Sequence, residues 1–325
     1  MKFPRRQFLH LAAGAAVLPA VSRSVWAQAY PTRPVRLIVG YPAGGVADVV
    51  ARLISQWLSE RLGQPFVVEN RPGAGTNIAA EAAVRAPADG YTFFLPTAAN
   101  AINATLYDRL NFNFLRDIAP VAGINRFPLV MMVNSSFPAK TVPEFIAYAK
   151  ANPGKINMAS IGNGTSPHVV GELFKMTTGV NMIHVPYRGG GAALTDLLSG
   201  QVQVFFPAVS GYIEHIRAGR LRALAVMTSA RLEVLPDIPT MSDFVPGLEA
   251  SDWTGLGAPR NTPAEIVEKL NKEINAGLAD PQLKVRIADL GGAVLGGSPA
   301  KFGGFIAEET EKWAKVIRAV HIKAE

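Results

Sequence analysis

The chain contains no cysteine. Disulfides, thiolate metal sites, a cysteine nucleophile and a lipid-modified N-terminal cysteine are thereby excluded. Beyond residue 30 no apolar run approaches the roughly 20 residues that cross a bilayer as a helix. No Gly-x-Ser-x-Gly turn occurs, so a serine hydrolase would lack its nucleophile elbow. No Gly-Lys-Ser or Gly-Lys-Thr closes a glycine-rich loop, which removes a nucleotide P-loop. Nor is there a block of consecutive basic residues of the kind that tracks a nucleic-acid backbone.

The first residues read as an export leader. Arg5-Arg6-Gln7-Phe8-Leu9 precedes the apolar run Leu11 to Ala20, and Val25-Trp26-Ala27-Gln28-Ala29 offers small residues for cleavage after Ala27 or Ala29. The paired arginines point to the twin-arginine route. Pro4, where such signals usually carry Ser or Thr, keeps an ordinary Sec signal open. On either route 1–27 is expected to be removed and the mature chain to reside in the periplasm. Lys2, Arg5, Arg6 and Arg23 lie in this leader, which holds no acid, so losing those four cations takes the formal charge from +7 to +3. That surplus suits an anionic small ligand and equally suits a solvated mixed surface.

Taking 27 residues from 325 leaves 298, more than one core usually holds and enough for two domains. A short apolar run followed by a helical pattern recurs throughout. Val35 to Val39 reads as a buried parallel strand. Val46, Val49, Val50, Leu53, Ile54, Trp57 and Leu58 then mark one helical stripe, which Gly63-Gln64-Pro65 stops. Strands are expected at Phe66 to Val68 and Tyr91 to Leu95, with a short helix over Ile78 to Val84. The middle of the chain repeats the theme, and both Thr141-Val142-Pro143-Glu144 and Thr262-Pro263-Ala264-Glu265 have the form of capping boxes. The fold class is therefore α/β, with parallel sheets wound by right-handed crossovers. Two lobes without flexible linkers are expected, 30–124 with 253–325 as one and 125–252 as the other. The chain would cross between them near 122–127 and 250–253.

Three loops set glycine between a strand and a helix. In "RLIVGYPAGGVADVV" the handover is Tyr41-Pro42-Ala43-Gly44-Gly45, with Asp48 in the first helical turn. First-turn amides have no intrahelical partner and carry the positive end of the helix dipole. Glycine lets a ligand approach them, so such an end suits an anion, here a carboxylate rather than a triphosphate. A tight turn and nothing more is the other reading. Asp48 either bonds loop amides and holds the loop's shape or is a surface acid favoured by the dipole. "MASIGNGTSPHVV" and "IHVPYRGGGAALTDLL" repeat the device. All three loops fall at the carboxyl ends of strands, the edge where open α/β sheets bind ligands. Thr97, Asn100, Ser160, Asn163, Gly164 and Thr165 offer uncharged donors, Gly189 and Gly190 bare backbone, and Tyr41 and Tyr187 apolar walls. Arg188 is open to two readings, a bidentate carboxylate partner or a solvent-facing charge. So is His168, as an anion donor or a helix-packing side chain.

These segments, with "VVENRPGAGTNIAAEAAVRAPADGYT" and "VPYRGGGAALTDLLSGQV", resemble the Bug family of periplasmic solute receptors, the receptors of tripartite tricarboxylate transporters. The resemblance spans essentially the whole mature chain. It implies a two-lobed Venus-flytrap fold, closure around a small carboxylate, and one carboxylate held by backbone amides and ordered waters at the loop from Tyr41 to Asp48. It also implies that 160–165 and 187–190 close over the ligand. Some family members feed a membrane permease and many stand without one. Thr76 and Ala79 depart from the family's usual glycines. Gln203 and then Phe205-Phe206-Pro207 stand where the family often has an acid. An apolar wall there would disfavour a ligand amine and suit a larger or aromatic carboxylate.

Catalysis finds little support. His168 and Glu172 share a helix face but do not make a zinc site, and Gly73-Ala74-Gly75 lacks the third glycine of a dinucleotide fingerprint. No catalytic residue, metal or cofactor is expected. The chain reads as a monomeric receptor for a small carboxylate, with a tripartite tricarboxylate-type permease as partner and no nucleic acid. A ligand-sensing accessory of a membrane kinase is the alternative.

Overall fold

The computed structural model describes residues 30–320 and residue 322. The expected export leader and its cut site lie outside the described residues. The fold begins with β1 (Val35–Val39), whose Leu37, Ile38 and Val39 are buried as in a strand covered on both faces. From it the chain passes into α1 (Val46–Leu62). Val50, Ile54 and Leu58 of the expected stripe are buried against the sheet, with Val46, Leu53 and Trp57 packed at the margin. Gly63 ends the helix in the left-handed region at φ 70° and returns its amide to the Ser59 carbonyl at 3.0 Å. β2 (Phe66–Asn70), α2 (Asn77–Val84) and β3 (Thr92–Phe94) follow, and β1 pairs in parallel with both strands. Next comes α3 (Ala98–Leu106), which no apolar stripe announces. Its Ala98, Ala99, Ala101 and Ile102 are all buried, so the helix shows little polar face for a periodicity to reveal. A single turn, α4 (Phe114–Asp117), leads into β4 (Ile118–Pro128).

The second sheet opens two residues later. Its elements are β5 (Val130–Asn134), α5 (Val142–Ala151), β6 (Asn157–Ser160), α6 (Ser166–Thr178), β7 (Ile183–Pro186), α7 (Gly190–Ser199), β8 (Val204–Phe205), α8 (Ile213–Arg217) and β9 (Leu221–Val226). The strand order is β7-β6-β8-β5-β9. At the start of α5 the Thr141 hydroxyl accepts the Glu144 amide at 3.3 Å. The Glu144 carboxylate takes the Lys140 amide at 2.7 Å, not that of Thr141, so the reciprocal half of the expected box closes one residue early.

The chain returns through β10 (Ser251–Pro259), α9 (Ala264–Ala279), α10 (Pro281–Asp289), β11 (Ala293–Val294) and α11 (Pro299–Val320). The first sheet then runs β11-β4-β10-β3-β1-β2. The capping box expected at Thr262 does not form. α9 starts at Ala264, and the Thr262 hydroxyl instead bonds the Pro259 carbonyl at 2.8 Å.

Neither sheet is wholly parallel, contrary to the sequence expectation. β10 runs antiparallel to β3 and β4, and β5 runs antiparallel to β8 and β9. The stretches read as crossings are part of β4 and β10, two long strands paired from Ser251 with Pro128 to Pro259 with Ile118. Their glycines hid them. A Cβ at Gly255 would stand 2.1 Å from the Phe302 ring, so bare backbone there makes room for α11. Each sheet with its helices makes a lobe, giving a two-lobed α/β protein. α11 touches both: Phe302 and Ile306 pack beside Trp253 in the first lobe, while Trp313 and Ile317 join Phe145 and Phe174 in the second.

Candidate functional site

Where β1 hands over to α1, the loop carries no side chain that caps the helix. Gly44 sits at φ 82° and the N-cap residue, Gly45, makes no side-chain cap bond. Gly45, Val46 and Ala47, the start of α1, face a cavity of about 510 Å³ between the lobes. Asp48 lies beneath this loop, almost fully buried. Its carboxylate accepts the Gly44 amide, Arg52 Nε and Asn70 Nδ2, each at 2.9 Å. Asn70 also donates to the Tyr41 carbonyl at 3.0 Å, which ties the loop to β2. Burial alone would raise the Asp48 carboxyl. The bonds from Arg52, Gly44 and Asn70 outweigh it and hold the group below its ordinary value.

The second lobe supplies a matching end. Between β7 and α7 the chain runs through exposed Arg188 to the N-cap Gly189, at φ 130° and again without a side-chain cap bond. Gly189, Gly190, Gly191 and Ala192 line the same cavity. A Cβ on Gly189 would come within 3.2 Å of the Pro42 ring, so the two loops lie against each other. Two uncapped helix N-termini, one per lobe, thus open on one space.

The remaining walls are Thr97, Phe127, Ile161, Pro167, Pro207, Tyr212, Asp252 and Thr254, with Leu194, Ala208 and Gly211 behind. Arg188 and Asp252 are the charged residues among them. Burial pushes the Asp252 carboxyl up to about 6, against the amides of Trp253 and Ala98 that favour its charged form, and Glu309 adds to the rise. Burial, with Asp252 nearby, also raises the Tyr41 phenol far above its usual range.

Of the residues singled out in the sequence, Tyr41, Ala43, Gly44, Gly45, Thr97, Arg188, Gly189, Gly190 and Pro207 line the cavity. The others stand behind it. Asn100 accepts the Thr97 amide and donates to the Thr76 hydroxyl, each at 2.9 Å. In the loop from Ser160 to Thr165 the expected donors are used internally. The Gly162 amide bonds Ser160 Oγ at 3.2 Å, the Gly164 amide bonds His168 Nδ1 at 3.2 Å, and the Thr165 hydroxyl bonds the Gly162 carbonyl at 2.6 Å. Asn163 turns its carbonyl toward Gly75 across the lobes. His168 stacks on His184 with ring centroids 3.9 Å apart, and His184 Nε2 meets Ser160 Oγ at 2.7 Å. Burial, with like charge from the neighbouring histidine and Lys175, lowers His168 to about 3. Burial, then Lys175, lowers His184 to about 4. The Tyr187 hydroxyl donates to Asp196 at 2.6 Å, and Tyr212 walls the cavity instead.

Other expectations need correction. Phe205 and Phe206 are fully buried in two different core clusters, so of that segment only Pro207 reaches the cavity and the two phenylalanines form no part of its wall. Gly73-Ala74-Gly75 forms a turn, as its lack of a full dinucleotide fingerprint implied, with a 3-10 turn over Ala74–Thr76. The sequence reading also missed Phe127, Tyr212, Asp252 and Thr254. Asp252 lies within the crossing expected at 250–253, but no local pattern there placed it on a cavity.

Two lobes, each on its own mixed sheet, with a cavity closed by the helix-opening loops of both, define a two-lobed solute receptor. The chain belongs to the tripartite tricarboxylate transporter family receptors, whose family model matches residues 50–322. BugT of Bordetella pertussis is 36% identical over 306 residues, covering 93% of this chain and 94% of BugT. Rpa4515 of R. palustris, solved with adipate, is 37% identical with a TM-score of 0.87 and covers 90% of this chain and 99% of its own. MatC of Rhodopseudomonas palustris, solved with bound malate, is 32% identical with a TM-score of 0.85, over 89% of this chain and 100% of its own.

Proposed function

We propose that the chain is a periplasmic receptor that closes its two lobes on a small carboxylate and delivers it to a tripartite tricarboxylate-type permease. The observation that carries this reading is the convergence of two uncapped helix N-termini, one from each lobe, on a cavity that also presents Arg188. A carboxylate placed there takes backbone amides from both sides, so binding and closure favour each other. Malate and adipate, bound by the two relatives, fit a space of this size. In this reading Tyr41, Ala43, Gly44, Gly45, Thr97, Arg188, Gly189, Gly190 and Pro207 meet the ligand. Asp48, Asn100, Ser160, Asn163, Gly164, Thr165, His168 and Tyr187 hold those loops in shape. The lobes are 30–124 with 253–325 and 125–252, joined through β4 and β10. The chain acts as a monomer, is exported with its leader removed, and releases its ligand unchanged.

Thermal-shift titration with C4 to C6 carboxylates tests this, followed by mass spectrometry of the recovered ligand. A ligand at about 100 times its Kd stabilises the native state by about 2.7 kcal/mol, which such a scan detects. Chemical conversion of the ligand, or no shift with any carboxylate, refutes the reading.

A further inference from the structure

A second charge, opposite in sign to Arg188, lines the cavity. Asp252 stands on β10 opposite Phe127, and its carboxylate accepts the Trp253 amide at 2.9 Å. The amide of Ala98, first residue of α3, also favours its charged form. The Ser166 hydroxyl at the start of α6 lies buried beside it and favours its charged form. Thr97 Oγ1, buried on the cavity wall, lies beside the Tyr41 phenol. None of the ion pairs among the described residues includes Asp252. The chain has therefore placed its own carboxylate, without a cation, in a cleft whose helix ends otherwise attract anions.

We propose that Asp252 determines specificity by occupying a second anion position of the cleft from within the chain, so that the ligand carries one carboxylate and, where it reaches Asp252, a protonated amine. This deepens the carboxylate-receptor reading and rests on it. A second ligand carboxylate at that place would meet like charge inside a cleft, where such repulsion is screened less than in bulk water. An ammonium supplies the missing counter-charge and can donate to the Asp252 carboxylate. Discrimination of this kind works by repelling the wrong ligand as much as by holding the right one.

The test is calorimetry at about pH 8, where the Asp252 carboxyl is ionised. Tyr41 from the first loop and Glu309 from α11 are the titratable groups that act on it. Three matched series serve as probes, each from C4 to C6: α,ω-dicarboxylates, ω-aminocarboxylates and plain monocarboxylates. In the wild type the best aminocarboxylate is expected to bind at least tenfold tighter than the dicarboxylate and monocarboxylate of the same length. In Asp252→Asn, which keeps an acceptor for the Trp253 amide, that preference is expected to fall below threefold, with the dicarboxylate gaining. Asp252→Ser, shorter and also neutral, should behave alike, and circular dichroism confirms that both variants are folded. A wild type that prefers dicarboxylates, or an unchanged order in both variants, overturns the role of Asp252 and leaves the carboxylate reading standing. Binding of no member of any series overturns both.

Discussion

At the scale of single residues, Asp48 shows how a loop of bare backbone is kept in one shape. Its carboxylate ties Gly44, Arg52 and Asn70 together, and among the described residues no other side chain accepts the Gly44 amide. Asp48→Ala leaves these donors without a buried acceptor, at a cost of about 1–3 kcal/mol. The chain should still fold, with carboxylate affinity at least tenfold weaker by calorimetry; equal affinity would remove Asp48 from any role at the site. Asp252 makes the opposite demand. Its pKa is raised from the ordinary 3.8 to about 6, so the folded chain holds that proton more tightly than the unfolded one. The charged form thus opposes folding above pH 6, and the penalty fades as pH falls toward 4. Asp252→Asn should therefore raise stability near pH 8 by at most about 3 kcal/mol, and the gain should vanish by about pH 4 in urea melts. Asp48 was legible in the sequence because Gly44 and Arg52 lie within four residues of it, whereas Asn70 reaches it only through the pairing of β1 with β2. Asp252 was not, because its surroundings (α3, α6 and α11) are assembled only by the fold.

At the scale of elements, the regular strand-to-helix units could be read and the irregular ones could not. β1 and α1 announce themselves through a run of apolar residues and a stripe ended by glycine. α3, rich in buried alanine, and β4 with β10, interrupted by glycines that admit α11, have no such signature. The glycine loops were legible as loops, but their hydrogen bonds decide which face the ligand. The loop at 160–165 turns its donors inward because His168, stacked on His184, offers an acceptor to Gly164. That pair has a pH signature. Both histidines are held neutral, at about 3 and about 4, against an ordinary 6.5. The unfolded chain therefore binds more protons as pH falls below 6.5, and stability drops until the folded-state values are reached. Chemical denaturation should show a loss of roughly 2 kcal/mol or more between pH 6.5 and 4. His168→Gln should flatten that slope even where it lowers stability at pH 7.

At the scale of the whole molecule, the lobes meet through contacts with no room to spare. A Cβ at Gly164 would lie 2.0 Å from Asn103 Oδ1, and one at Gly75 would lie 2.4 Å from the Asn163 carbonyl. Gly164→Ala should therefore wedge the lobes apart and weaken carboxylate binding at least tenfold, as read by calorimetry. Gly304→Ala, where a Cβ meets nothing within 4 Å, should leave affinity unchanged and add about 0.5–1 kcal/mol of helix stability.

α11 sets a further condition on such movement. It is 22 residues long, roughly 33 Å, and plants Phe302 in one lobe and Trp313 in the other. The helix behaves as a strut bolted at both ends, so parting the lobes has to twist it or lever one aromatic out of its seat. Any parting of the lobes would therefore have to overcome this helix as well as the two connecting strands. Trp313→Ala should free the far bolt, widening the ligand-free particle in small-angle scattering while leaving the liganded one compact.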